Sequence, residues 1–115
     1  MSILAVEMEI PRVENVEITE DTLTVELRDG RTVSVPLAWF PRLVYSTPKE
    51  RNNWRLIGGG HGIHWVDIDE DIGVEGLLAG KVSGESRHSF KKWLDQRQSK
   101  QVRRGAPRKP YEVKS

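Results

Sequence analysis

The chain has 115 residues, 30% of them charged and 37% apolar, with no cysteine and a formal net charge of +1. That length suits one domain with a modest core, the composition is too apolar for wholesale disorder, and the missing cysteines exclude disulfides, thiolate nucleophiles and thiolate metal sites. The charge is uneven: from Ser99 onward six basic residues (Lys100, Arg103, Arg104, Arg108, Lys109, Lys114) face one acid, Glu112, a net +5 that leaves −4 on the preceding body.

The first residues meet acids too soon for a secretory signal, and no apolar run approaches a membrane span. The expected address is the cytoplasm, with no membrane partner. Val13 to Thr19 alternates apolar and polar residues and predicts a strand. Glu20-Asp21 makes a turn, and Leu23, Val25 and Leu27 continue with the same period of two. Asp29-Gly30 then separates that run from Val33 and Val35. An Asp-Gly pair between alternating runs predicts a hairpin with a type I′ turn. The result is a three-stranded antiparallel meander with one apolar face.

Pro36 ends the third strand because it has no N–H to give the ladder. A short helix is expected from Ala38 or Trp39, with Pro41 in its first turn and Phe40, Leu43 and Val44 facing inward. Thr47-Pro48-Lys49-Glu50 has the spacing of a capping box and predicts a second helical turn.

Trp54 to Gly80 is the most distinctive stretch, with two tryptophans, two histidines and seven of the ten glycines. Trp54–Ile57 and Ile63–Ile68 read as a second hairpin around Gly58-Gly59-Gly60-His61-Gly62. Asp69-Glu70-Asp71 is expected to open a short helix bearing Ile72, Val74, Leu77 and Leu78, its acids favoured by the helix dipole, with Gly80 just past its end. Ser83 would cap a last, amphipathic helix from about Gly84 to Arg97, with Phe90, Trp93 and Leu94 as its apolar stripe. The fold class is therefore α+β: a small antiparallel sheet, a meander plus a second hairpin, packed with short helices. Residues 1–98 form one domain and 99–115 a flexible basic tail.

Few chemical signals survive inspection. Asp67, Asp69 and Asp71 occupy the first, third and fifth places of a calcium loop, yet Ile72 and Leu78 stand where glycine and a bidentate glutamate are needed. His61, His64 and Asp67 could meet at a metal only if the strand bulged, since His64 and Asp67 point to opposite faces. The glycine run leads into a strand, whereas a phosphate cradle leads into a helix. No serine sits in a nucleophile elbow. The sequence predicts no enzyme, no metal and no cofactor.

Binding is the remaining reading. Trp39, Arg42, Arg51, His61, His64 and Trp93 are candidate partner-binding residues, because tryptophan and arginine concentrate at interface hot spots. Lys100, Arg103, Arg104, Arg108 and Lys109 are candidate nucleic-acid contacts, which would act on phosphates without reading sequence.

Four segments together resemble a known bacterial family, domain of unknown function 2442: Arg28-Asp29-Gly30-Arg31; Pro36 through Leu43; Asn53 through Ile57; and Gly62 through Trp65 continuing to Gly80. The resemblance runs from about Val13 to Gly80 and leaves out the last helix and the tail. It implies a compact α+β domain and a genomic setting like that of antitoxins in small two-gene modules. The implied role is a non-enzymatic protein-binding module, an antitoxin-like regulator partnered by a neighbouring gene product. The alternative is a nucleic-acid-associated transcriptional regulator that uses the basic tail.

Overall fold

A computed structural model describes residues 10–103 of the chain, with side chains through Ser99. The chain divides into two compact units at Ser83/Gly84. The first unit holds two three-stranded antiparallel sheets, β1-β2-β3 and β4-β5-β6 in sequence order, with short helices between and after them.

The first sheet is the expected meander: β1 Val13–Ile18, β2 Thr22–Leu27 and β3 Thr32–Pro36. Val16, Val25 and Val33 lie in one cross-strand row, and Leu23 pairs with Val35. Leu23 and Val25 are wholly buried, so the period-two pattern does select the core face. On the other face Thr24 and Ser34 share a hydroxyl–hydroxyl hydrogen bond of 3.0 Å.

The β2–β3 turn differs in type from the sequence expectation. Only Gly30 has positive φ, +99°, while Asp29 does not, so the turn is not type I′. Gly30 N–H donates to the Leu27 carbonyl and Leu27 N–H to the Arg31 carbonyl, a three-residue loop with glycine in the left-handed position. The Asp29 side chain explains the choice. Its carboxylate accepts from the Arg31 backbone N–H at 3.0 Å and from Arg31 Nε at 2.8 Å.

The Arg31 backbone hydrogen bond, opposed by desolvation and reinforced by the Arg31 guanidinium, holds the Asp29 carboxyl below its usual range. A depressed folded-state value means the stabilisation is fully present above the unfolded-state value and is lost as pH falls through the folded one. Asp29→Asn is therefore expected to lower the melting temperature at neutral pH and to lose less than the wild type on acidification. The two melting curves should converge in strong acid; a constant offset at every pH would reject the carboxylate as the cause.

After Pro36 the chain makes a 3-10 turn, Leu37–Trp39, and then helix α1, Pro41–Val44, with Phe40 as N-cap and proline at the first position. The helix starts later than expected because Leu37 N–H is tied to the Asp21 carbonyl and Phe40 N–H to the Leu37 carbonyl. Phe40 and Leu43 are buried as expected, whereas Val44 is 39% exposed, since a single helical turn buries only one edge. Helix α2, Pro48–Arg51, has the capping box in full. Thr47 Oγ1 accepts from Glu50 N–H at 3.1 Å and Glu50 Oε1 from Thr47 N–H at 2.9 Å.

The second sheet contains β4 Trp54–Ile57, β5 Gly62–Trp65 and a third strand, β6 Glu70–Gly73, where helix was expected. Asp69 turns the chain with φ +53°, and Ile72 then pairs with Ile63 and is buried. Burial of Ile72 outweighs the poor strand propensity of the acids beside it. Helix α3 is confined to Val74–Leu78 and leans on β3. It ends in a Schellman motif: Gly80, φ +77°, donates to the Leu77 carbonyl and Lys81 to the Gly76 carbonyl.

The second unit contains helix α4, Arg87–Arg103, which begins and ends later than the predicted span. Its cap is Ser86, whose Oγ accepts from Ser89 N–H at 3.1 Å, and not Ser83. Ser89 Oγ in turn donates to Glu85 at 2.7 Å, so the polar cluster that fixes the start lies wholly on the C-terminal side of Gly84.

Candidate functional site

The second sheet sorts its side chains by the strand period. Ile63, Trp65 and Ile72 point to the core and are buried, which puts His64 and Asp71 on the opposite face. Register aligns Arg55, His64 and Asp71 in one row across β4, β5 and β6. His64 Nδ1 is 2.5 Å from Asp71 Oδ1, and the two side chains are 18% and 64% exposed. Gly62 and Gly73 form the neighbouring row, in which only Ile57 carries a side chain.

His64 thus pairs across the β5–β6 hairpin with Asp71, an acid that the sequence pattern places in a helix. Asp67 accepts instead from Asn53 Nδ2 at 2.9 Å. His61 is exposed in the turn between β4 and β5 and lines a cleft of about 610 Å³ with Arg12, Arg28, Asp29 and Glu75. His61, His64 and Asp67 therefore each have separate surroundings. Among the described residues there is no group of three or more histidines and carboxylates placed to hold a metal ion.

The glycine turn is a hairpin tip, since Ile57 pairs with Gly62 across it. Gly58, Gly59 and Gly60 all have positive φ, at +61°, +70° and +99°. The buried one, Gly60, also packs against Arg12: a Cβ there would lie 3.2 Å from Arg12 Cβ. That backbone approach needed knowledge of what precedes β1.

Two of the candidate arginines serve the protein's own carbonyls. Arg42 Nη1 donates to the Ile68 carbonyl at 2.7 Å, fastening α1 to the β5–β6 turn. Arg51 Nε donates to the Leu43 carbonyl at 3.1 Å and Nη2 to the Val44 carbonyl at 3.1 Å, satisfying the open end of α1. The Arg51 carbonyl accepts from Trp65 Nε1 at 3.0 Å, so one residue joins α1, α2 and the second sheet. The carbonyls these arginines use have no signature in the sequence.

Trp39 is partly exposed, and its carbonyl accepts from Ser83 N–H at 3.0 Å. That bond lays Val82, 57% exposed, beside one end of the Leu37–Tyr45 segment, whose other end carries Val44 and Tyr45, the latter 54% exposed. In the second unit Trp93 stacks at a tilt on Phe90, with 5.7 Å between ring centroids, and lies 4.7 Å below the Arg97 guanidinium. Lys100 and Arg103 lie in the last turn of α4, whereas Arg104, Arg108 and Lys109 lie outside the described residues. Among the described residues no helix is long and apolar enough to cross a membrane.

The family model described as "Protein of unknown function (DUF2442)" matches residues 13–83, the span of the sequence resemblance and three residues more. A crystal structure of a protein of unknown function from Rhodospirillum rubrum ATCC 11170 is similar to this chain with a TM-score of 0.58. The two are 24% identical over 67% of this chain and 95% of that one, a likeness that speaks to fold alone. No curated protein matches.

Proposed function

Because this chain belongs to the DUF2442 family, we propose that it is a non-enzymatic protein-binding module, an antitoxin-like regulator whose partner is the product of a neighbouring gene. One observation carries the reading. Trp39, Val44, Tyr45 and Val82 keep apolar surface exposed along the Leu37–Tyr45 segment and the irregular stretch of chain hydrogen-bonded to it. Apolar and aromatic side chains gathered on a stiff element, ringed by polar residues, are what a protein partner buries. Arg51 holds the segment's Leu43 and Val44 carbonyls and Arg42, within the segment, ties it to the Ile68 carbonyl, so both contribute to a partner site only indirectly, by fixing the segment.

The test is co-expression with each adjacent gene. The wild-type chain is expected to co-purify with one product and to relieve any growth defect that product causes. Tyr45→Glu with Val82→Glu should weaken capture by about thirtyfold or more, the effect of losing a hot spot of roughly 2 kcal/mol. A chain that remains a free monomer beside both neighbours, with no effect on growth, overturns the proposal.

A further inference from the structure

The row Arg55–His64–Asp71 is not used by the fold in the way Arg42 and Arg51 are. Arg55 is exposed, and among the described residues its guanidinium has no hydrogen-bond or ion-pair partner. His64 is mostly covered and is fixed through Nδ1 by Asp71, while Nε2 likewise has no partner among the described residues. In neighbouring strands of one row, side chains start about 5 Å apart, a span that one carboxylate can bridge with its two oxygens.

We propose that Arg55 and His64 form a receptor for a single carboxylate, presented by an aspartate or glutamate of the protein partner. In its imidazolium form His64 donates from both ring nitrogens, Nδ1 to Asp71 and Nε2 outward. Arg55 offers its fork of N–H groups beside it. Asp71 is a positioning residue: it orients the ring and touches no ligand.

The charge count selects the ligand. With the ring in its imidazolium form, Arg55 and His64 contribute two positive charges and Asp71 one negative, leaving +1, which a bound carboxylate neutralises. A phosphate dianion would exceed that charge and meet Asp71. On the same face β4 adds no further charge, β5 none and β6 only Asp71; Asp67, beyond the end of β5, is bonded to Asn53.

The site deepens the protein-binding reading and rests on it, but its test does not need the partner. The full chain is titrated at low salt with the capped peptide Gly-Glu-Gly, with Gly-Gln-Gly and with inorganic phosphate, following the His64 ring signals by NMR. The glutamate peptide should give saturable shifts, the glutamine peptide none, and phosphate weaker ones. Arg55→Gln and His64→Gln should each weaken the glutamate peptide by about tenfold or more, as expected for losing one charge-assisted hydrogen bond. Asp71→Asn should leave the fold intact by circular dichroism and change the pH dependence of binding. Unmoved His64 signals, equal response to the glutamine peptide, tighter phosphate binding, or an Arg55→Gln chain that binds as the wild type does would each overturn the receptor. Capture of the neighbouring gene product by an Arg55→Gln/His64→Gln chain at wild-type strength would remove the site from the interface while leaving the partner reading standing.

Discussion

Trp65→Ala is expected to cost about 3–5 kcal/mol, the range for truncating a large buried aromatic. The side chain is wholly buried, centred in the second sheet between Trp54 and Glu70, and its indole N–H is given to the Arg51 carbonyl at 3.0 Å. Two losses add. The cavity forfeits the contacts of the ring, and the Arg51 carbonyl, at the hub of α1 and α2, loses its donor. Domains of this size are stable by only about 5–15 kcal/mol, so the variant should be largely unfolded well below the wild-type melting temperature. Urea unfolding followed by far-ultraviolet circular dichroism gives the check, with the midpoint falling at unchanged slope. Trp65→Phe separates the two terms: it fills most of the volume, and its cost of about 1–3 kcal/mol reports the orphaned carbonyl. If the phenylalanine variant is as stable as the wild type, the Arg51–Trp65 bond holds nothing together.

The residues behind that prediction mark where sequence reasoning succeeds and where it stops. Period-two alternation through Leu23, Val25 and Leu27 identifies a buried face because each strand repeats every two residues whatever it packs against. The capping box at Thr47 and the glycine past Leu78 were legible for the same reason, since a cap is satisfied by residues three or four away. Asp69, Glu70 and Asp71 are the opposite case. Read locally they favour a helix start, but Ile72 is committed to Ile63 across the sheet, and that pairing lies nine residues distant. Misreading β6 hid the row containing Asp71, and with it the partner of His64. The Ser83 and Ser86 caps could not be told apart from composition either. Both are small hydroxyls near the same helix, and the choice falls to which one finds an N–H three residues on.

Gly60 tests whether the glycine turn is only a reversal. Alanine at Gly59, φ +70°, enters the left-handed region with open space around its Cβ, and should cost about 1–2 kcal/mol in backbone strain. Gly60, φ +99°, carries that strain and a steric term as well. Its Cβ would sit 3.2 Å from Arg12 Cβ and 3.4 Å from Cγ and Cδ, tighter than ordinary contact. Arg12 cannot simply swing aside, because the near atom is its Cβ and its carbonyl is held by the Arg28 N–H at 2.9 Å. The push is transmitted to the first sheet, and overpacking of this kind costs about 1–3 kcal/mol more. Gly60→Ala is therefore expected to be the more damaging of the two by that margin in matched urea titrations. In the double variant with Arg12→Gly the excess should disappear, leaving strain alone. Equal losses at Gly59 and Gly60 would mean that the turn and the first sheet do not press on each other, and that the glycines answer to backbone conformation only.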